Sequence, residues 1–206
     1  MLHTLFRLLN AYRYNWPFGW LIVYAVALSG SFSLVLLLIT DPSTYGYYYA
    51  ENGPSEVLQT LLIALTAVTG AIGGLRNKEV IWRLSGIILC CFAVVLLVRE
   101  IPNCRAMGGT LSVCFSEFQS MSMTAIVVAI AAVYGLWQLY THPEITIAAA
   151  HPRYCWPILL VVGIGLASQA LDIARAKAAE ESLEIIAYCV MAAVGIANAF
   201  LPKPKL

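Results

Sequence analysis

The chain has 206 residues, of which 61% are hydrophobic and only 11% are charged, and its mean hydropathy is +0.80. A soluble domain carries roughly 25% charged residues, so this chain has too few to cover a surface that faces water. The composition excludes a soluble globular protein and predicts an all-α, multi-pass membrane protein in contact with the lipid bilayer. With a formal net charge of +1 and no basic tract, nothing indicates nucleic-acid binding.

Six segments are apolar enough to cross a bilayer, which takes roughly 20 residues of helix. They are about Trp16–Thr40, Glu56–Leu75, Val80–Val98, Met121–Tyr140, Cys155–Leu171 and Ser182–Leu201. Because backbone groups in hydrocarbon must bond within their own segment, each is predicted to be a helix. The sequence therefore predicts one six-transmembrane-helix bundle over residues 16–201.

The two ends of the chain are predicted to lie outside this bundle. Residues 1–15 form an interfacial amphipathic segment in this prediction, because apolar side chains recur there at helical spacing. These side chains are Leu2, Leu5, Phe6, Leu9 and Tyr12. A frayed basic tail is the alternative for this segment, and residues 202–206 are predicted to be a cytoplasmic tail.

The charges are distributed unequally over the loops between the spans. Eight of the twelve Lys and Arg residues fall on one predicted side, and nine of the eleven acidic residues fall on the other. Cytoplasmic loops carry the excess of Lys and Arg, so both termini are predicted to be cytoplasmic in a bacterial-type inner (plasma) membrane. The outer face is then acidic.

Two of the six cysteines, Cys104 and Cys114, fall in one predicted outer loop. A disulfide is possible in an oxidising compartment, and Gly108–Gly109 supplies a turn between the two thiols. The chain has no Cys-x-x-Cys pair of the kind used in redox chemistry, so the predicted bridge is structural.

Carboxylates gather at the predicted outer ends of the spans. Gly53–Pro54 is typical of a helix start and puts Glu56 in the first turn, where its charge meets the positive end of the helix dipole. Glu180 and Glu181, at the start of the sixth span, are likewise expected to meet the positive end of a helix dipole. Helix capping does not explain Glu184, which lies about one turn deeper.

The third span is short between its two arginines, Arg83 and Arg99, which enclose roughly 22 Å of helix against a hydrocarbon core of about 30 Å. Either one or both arginines snorkel to the membrane surface, or Arg99 and Glu100 lie below the outer surface. Ionisable residues at that depth usually face the protein interior and pair with one another. We expect Arg99 and Glu100 to pack near Glu56 and Glu184.

This pattern allows two interpretations. In the structural one, Arg99 neutralises one carboxylate and the remaining carboxylates are solvated helix caps. In the functional one, carboxylates converge on an outward-open site that binds a cation or a cationic solute, because carboxylates that share a site repel one another unless a cation or protons neutralise them. The predicted ligands are Glu56, Glu100, Asp172, Glu181 and Glu184.

Oxygen ligands favour hard ions, so the candidate cofactor is a divalent cation such as calcium or magnesium. Glu56 and Glu184 are the predicted metal ligands. The three histidines fall on the predicted inner side and are not expected to contribute.

Three short motifs resemble those of a loosely defined set of small bacterial multi-pass membrane proteins. They are Glu51-Asn-Gly-Pro-Ser-Glu56, Arg99-Glu100-Ile and Glu180-Glu181-Ser-Leu-Glu184, the last of which follows Asp172. The proteins of that set carry Glu-Asp-Gly-x-x-Glu, Arg-Glu-[Leu/Ile/Met]-Asp and Glu-Glu-x-Leu-Glu at comparable places. This chain departs from the set at Pro102, where an acid is expected. The resemblance implies a membrane fold and no particular activity.

The sequence leaves three classes of function open. The first is binding of a cation or cationic solute for transport or sensing. The second is an accessory or assembly subunit without chemistry of its own, bound to a membrane-protein partner or to further copies of itself. The third is a membrane-embedded hydrolase that uses paired carboxylates as acid and base.

Overall fold

The computed structural model describes residues 19–39, 48, 53–101, 114–150, 152–174 and 176–201. Within these residues the chain forms seven helices. They are α1 (Gly19–Ile39), α2 (Pro54–Arg76), α3 (Val80–Glu100), α4 (Glu117–Thr141), α5 (Pro143–Ala150), α6 (Pro152–Ile173) and α7 (Lys177–Phe200). All except α5 are long and apolar enough to cross a membrane, which confirms the six predicted spans. The predicted terminal segments, 1–15 and 202–206, lie outside the described residues.

Local signals set several of the helix ends. Pro54 begins α2 after Gly53, and Glu56 lies in the first turn, as predicted. The start of α4 is a capping box, in which the Ser116 hydroxyl accepts from the Gln119 backbone N–H and the Gln119 side chain accepts from the Ser116 backbone N–H. Both α2 and α4 thus have a well-defined start.

The last of the seven helices in chain order, α7, occupies the centre of the bundle. It packs against α1, α2, α3 and α6, and just over half of its span is buried. Its buried face includes Ile185, Val190, Met191 and Ala197. By contrast, α4 lies at the periphery and packs mainly against α3 and α5, so most of its side chains are left to the lipid. The position of α7 brings its polar residues into contact with three other spans.

Three glycines, Gly70, Gly74 and Gly86, let α2 and α3 approach closely. A Cβ atom built on Gly70 would lie 2.8 Å from the backbone nitrogen of Cys90, and one built on Gly86 would lie 2.5 Å from that of Gly74. Real Cβ atoms do not come so near to backbone atoms. The small-x-x-x-small spacing of Thr66, Gly70 and Gly74 therefore works as a helix-packing face.

A network of asparagines closes one end of the bundle, which we call the asparagine end. The Nδ2 of Asn77 donates to the carbonyl oxygen of Gly73 and to the Oδ1 of Asn198, at 2.8 and 3.0 Å. The Nδ2 of Asn198 in turn donates to the carbonyl oxygen of Trp82 at 3.1 Å. These bonds tie the link between α2 and α3 to the end of α7.

Two features of the fold differ from the sequence prediction. The helix α5, formed by Pro143–Ala150, was not predicted, because eight residues are too few to produce a span signal. In addition, α7 begins at Lys177 and not at Ser182, because alanine, lysine and glutamate are good helix formers even where hydropathy is low. The orientation of the termini relative to the membrane stays a prediction.

Candidate carboxylate site

The carboxylates predicted as ligands come from four helices that meet at the end of the bundle opposite the asparagine end. We call this end the carboxylate end. It receives Glu56 from the start of α2 and Glu100 from the last residue of α3. Asp172 comes from the end of α6, and Glu181 and Glu184 come from the first turns of α7.

Glu181 is the most buried of these carboxylates. Its residue is only 8% exposed, and its Oε2 accepts a hydrogen bond of 2.6 Å from the Nε2 of Gln59 on α2. The same nitrogen lies 3.4 Å from the Glu181 carbonyl oxygen. We had predicted Glu181 as a capping residue at the start of the sixth span, and this prediction is wrong. Because α7 starts at Lys177, five residues before the predicted Ser182, Glu181 lies beyond the first turn of the helix, where it contacts Gln59 on α2.

Glu184 lies between a cation and a hydroxyl. The Nη2 of Arg99 is 3.6 Å from its Oε1, and the Ser168 hydroxyl donates to the same oxygen at 3.2 Å. The Glu184 side chain is 12% exposed, whereas that of Arg99 is 56% exposed. Arg99 therefore approaches the carboxylate from the solvent side, while fully buried Ser168 on α6 holds it from within.

Glu100 and Glu56 belong to the same electrostatic cluster. The Tyr188 hydroxyl on α7 donates a long hydrogen bond of 3.5 Å to the Oε1 of Glu100. The Glu100 carboxylate is repelled by those of Glu184 and Glu56, and Glu56 also repels Glu181. Arg99 and Glu100 thus lie beside Glu56 and Glu184, which is the placement expected from the short third span.

Asp172 stands at the edge of the cluster. Its side chain is exposed, and it repels both Glu184 and Glu180. Lys177, also exposed, attracts Glu180 and Glu181. The edge of the cluster therefore holds one further cation, which the sequence analysis did not assign to the site.

Carboxylates outnumber cations in this cluster. Among the described residues it contains six carboxylates, those of Glu56, Glu100, Asp172, Glu180, Glu181 and Glu184, and two cations, those of Arg99 and Lys177. Like charges that share a partly buried site repel one another strongly unless protons or a bound cation neutralise them. The described part of the cluster thus carries an excess of negative charge.

A cavity of about 310 Å³ opens beside Arg99, between the end of α3 and the start of α4. Its lining mixes charged, hydroxyl and apolar side chains: Val98, Arg99, Ile101, Phe115, Glu117, Ser120 and Met121. Small-molecule sites have volumes of about 300–1,000 Å³, so this cavity has room for a small organic molecule. Arg99 connects it to the carboxylate cluster.

The described part of the chain contains no group of three or more His, Cys, Asp or Glu side chains placed to hold a metal ion. The carboxylates of the cluster share an electrostatic field without converging on a single point. The roles of Glu56 and Glu184 as metal ligands, and of calcium or magnesium as a cofactor, therefore stay predictions.

The predicted Cys104–Cys114 bridge also stays a prediction, because Cys104 lies outside the described residues. Four other cysteines are free thiols: Cys90, Cys91, Cys155 and Cys189. Cys90 and Cys91 lie on α3 and Cys189 lies on α7, within spans, where cysteine commonly serves as a small apolar packing residue.

The sequence analysis missed two polar partners of the carboxylates, Gln59 and Ser168. Gln59 falls in the second predicted span and Ser168 in the fifth, and the sequence did not pair either with a carboxylate on α7. Their signal was a polar side chain within an apolar span, which usually faces the protein interior and has a partner. The identity of the partner depends on how the helices pack.

Comparison of the chain with protein-family models, with curated proteins and with solved structures gave no match. Its function is therefore argued from the site itself.

Proposed function

We propose that this integral membrane protein binds a small organic cation, such as a primary amine or a polyamine, at the carboxylate end. The observation that carries the proposal is the excess of carboxylates over cations among the described residues around Glu100, Glu181 and Glu184. Intramembrane ionisable residues are costly to maintain, and they commonly mark the path or site of a solute.

An organic cation suits this site better than a bare metal ion. A divalent metal requires several oxygen ligands that all lie roughly 2.0–2.6 Å from the ion. The described carboxylates do not form such a group. An ammonium group needs less strict geometry, because it donates hydrogen bonds to separate acceptors. The adjacent cavity with its apolar walls, including Phe115 and Met121, would accommodate the carbon skeleton.

The contacts of individual carboxylates assign them different parts in this binding. Glu184 and Glu100 are only partly buried and are the proposed primary ligands, since solute can reach them. Glu181 is held by Gln59 inside the bundle, so it contributes its charge more than a direct contact. Arg99 forms a loose, solvent-exposed pair with Glu184 and would move aside when the cation binds.

The orientation predicted from Lys and Arg would turn this end toward the outside of a bacterial inner membrane. The site would then bind solutes from outside the cytoplasm, for transport or for sensing. The accessory-subunit and hydrolase classes stay open predictions, and no specific contact among the described residues favours either.

The test is thermal unfolding of the detergent-purified protein against a panel of divalent metals, simple amines and polyamines. A ligand at about 100 times its Kd stabilises the folded state by about 2.7 kcal/mol, which is a measurable shift in Tm. We expect an upward shift with an amine that is lost in Glu184→Gln. Glu144→Gln, an exposed acid on α5, is the matched control and should retain the shift.

Three outcomes would decide between the alternatives. A shift with a divalent metal in place of an amine would restore the metal-site prediction. A shift of equal size in wild type and Glu184→Gln would place the binding elsewhere. No shift with any cation would leave the carboxylates as structural groups and would contradict the proposal.

A further inference from the structure

Three side chains near the asparagine end of α3 and α4 carry buried polar atoms that have no hydrogen-bond partner. Gln138 on α4 is 0% exposed, and neither its amide nitrogen nor its amide oxygen has a partner. The hydroxyl of Tyr134 on α4 and the Nε of Arg83 on α3 are likewise buried and unpaired. Such groups are rare in folded proteins and call for an explanation.

The packing of α3 on α4 places these groups at one level. Val98 and Met121 line the same cavity at the carboxylate end, and the two helices run antiparallel from there. Travelling about 22 Å along each helix, at about 1.5 Å per residue, leads from Val98 to Arg83 and from Met121 to Leu136. Arg83 is therefore level with the stretch of α4 between Tyr134 and Gln138.

Tyr134 and Gln138 also share one face of α4, since they are four residues apart. Gln138 is the one buried residue of α4, whose other residues are half-buried or exposed. Because α4 packs mainly against α3 and α5, this face is the one turned toward α3 and α5. The three groups thus lie at one level of the seam between α3 and α4.

The chemistry of these groups matches a phosphate. Arg83 supplies a cation, and Tyr134 and Gln138 supply hydrogen-bond donors, which together suit an oxygen-rich anion. Two acidic residues at this end, Glu79 and Glu144, are exposed, and neither forms an ion pair with Arg83 within the described chain. Among the described residues, Arg83 therefore has no acidic partner that would compete with an external anion.

The seam also lies at the depth of lipid headgroups. Gln138 is about one turn from the end of α4, and its neighbours Trp137 and Tyr140 are exposed. Exposed Trp and Tyr at the end of a span are typical of the membrane–water interface. Basic pockets between spans at this depth are typical sites for anionic lipid headgroups.

We propose that the seam between α3 and α4 at the asparagine end binds the phosphate of an anionic phospholipid. Arg83 neutralises the phosphate, and the side chains of Tyr134 and Gln138 donate hydrogen bonds to its oxygens. The acyl chains lie along the exposed apolar side chains of α4, such as Val133 and Leu136. This site is separate from the carboxylate end and does not depend on its function.

The test is native mass spectrometry of the detergent-purified protein titrated with phosphatidylglycerol or with phosphatidylcholine carrying the same acyl chains. We expect wild type to retain phosphatidylglycerol preferentially. Arg83→Gln should lower its affinity for this lipid roughly fivefold, as one basic residue contributes at a membrane surface. Arg76→Gln, which removes an exposed cation at the end of α2, is the matched control and should leave the affinity unchanged.

Tyr134→Phe and Gln138→Leu keep the proposal testable if Arg83→Gln fails to fold. Both should weaken phosphatidylglycerol binding while phosphatidylcholine binding stays the same. Equal binding of the two lipids by wild type would overturn the proposal. Displacement of the bound lipid by inorganic phosphate would overturn the lipid assignment in favour of a soluble phosphate. If the variants left the lipid affinity unchanged, the proposal would be wrong, and buried water alone would account for the unpaired polar atoms.

Discussion

Gln59 and Glu181 join α2 to α7 through a buried hydrogen bond of 2.6 Å, although they are 122 residues apart in the chain. The bond supplies a side-chain donor to a carboxylate inside the bundle. A hydrogen bond to a charged group contributes about 1.5–3 kcal/mol, and a buried charge left without its partner costs more than a neutral group does. This contact therefore connects the stability of the bundle to the charge of the site.

Replacing Gln59 should destabilise the protein more than replacing Glu181. We expect Gln59→Met to lower the free energy of unfolding by about 2–3 kcal/mol, because it keeps the volume but removes the donor. Glu181→Gln should cost less, since an amide can still accept from Gln59 and no longer repels Glu56 and Glu184. Denaturant titration in detergent measures both, and equal losses would show that the charge of Glu181 has no influence.

The ion pair between Arg99 and Glu184 should contribute little to stability. Arg99 is 56% exposed and lies 3.6 Å from the carboxylate, and exposed pairs contribute about 0.2–1 kcal/mol. A double-mutant cycle with Arg99→Gln and Glu184→Gln should give a coupling energy below about 1 kcal/mol. A coupling of several times that value would mean that Arg99 is a structural partner and is not free to yield to a bound cation.

Enlarging the glycines between α2 and α3 should separate the helices. We expect Gly86→Ala to destabilise the protein by about 1–3 kcal/mol, because the new methyl group meets backbone atoms of Gly74 and Gly70. Gly135→Ala on α4 is the control: nothing lies within 4 Å of the new Cβ. Its higher helix propensity should leave stability unchanged or raise it by up to about 1 kcal/mol. Thermal unfolding of the two variants side by side measures the contrast, and similar Tm values would contradict the close approach.

The asparagine network should depend on Asn198 more than on Asn77. Asn198 is 3% exposed and bonds to both Trp82 and Asn77, so Asn198→Ala should lower the free energy of unfolding by about 1–3 kcal/mol. Asn77 is only part-buried, and Asn77→Ala should cost less. Denaturant titration would rank the two, and the reverse order would show that Asn77 makes its main contribution by ending α2.

The architecture was largely readable from the sequence because a single physical requirement dominates it. A span needs a long apolar stretch, and each of the six stretches is a helix near its predicted bounds. The requirement acts only on long helices, which is why Pro143–Ala150 was missed. It also gives no information on order in space, so nothing predicted that α7 lies at the centre.

The candidate site was readable only at the level of its charges. The short third span correctly suggested that Arg99 and Glu100 approach Glu56 and Glu184, because charges at that depth seek partners. The specific bonds, Gln59 to Glu181 and Ser168 to Glu184, depend on how each helix is rotated about its axis. Where apolar residues cover a span on nearly all sides, the rotation of the helix is set by its packing against the other helices. That packing cannot be predicted from one sequence.

The central position of α7 has a consequence for biogenesis. Membrane helices are made in chain order, so the five long helices before α7 leave the ribosome while their common partner is still missing. Until α7 arrives, Gln59 has no Glu181, Ser168 has no Glu184 and the glycine face of α2 is matched by α3 alone. The nascent protein therefore passes through a stage in which polar side chains meet lipid. Its yield in the cell should depend on how quickly the final hairpin is inserted. It should also depend on how quickly quality-control proteases degrade the incomplete bundle.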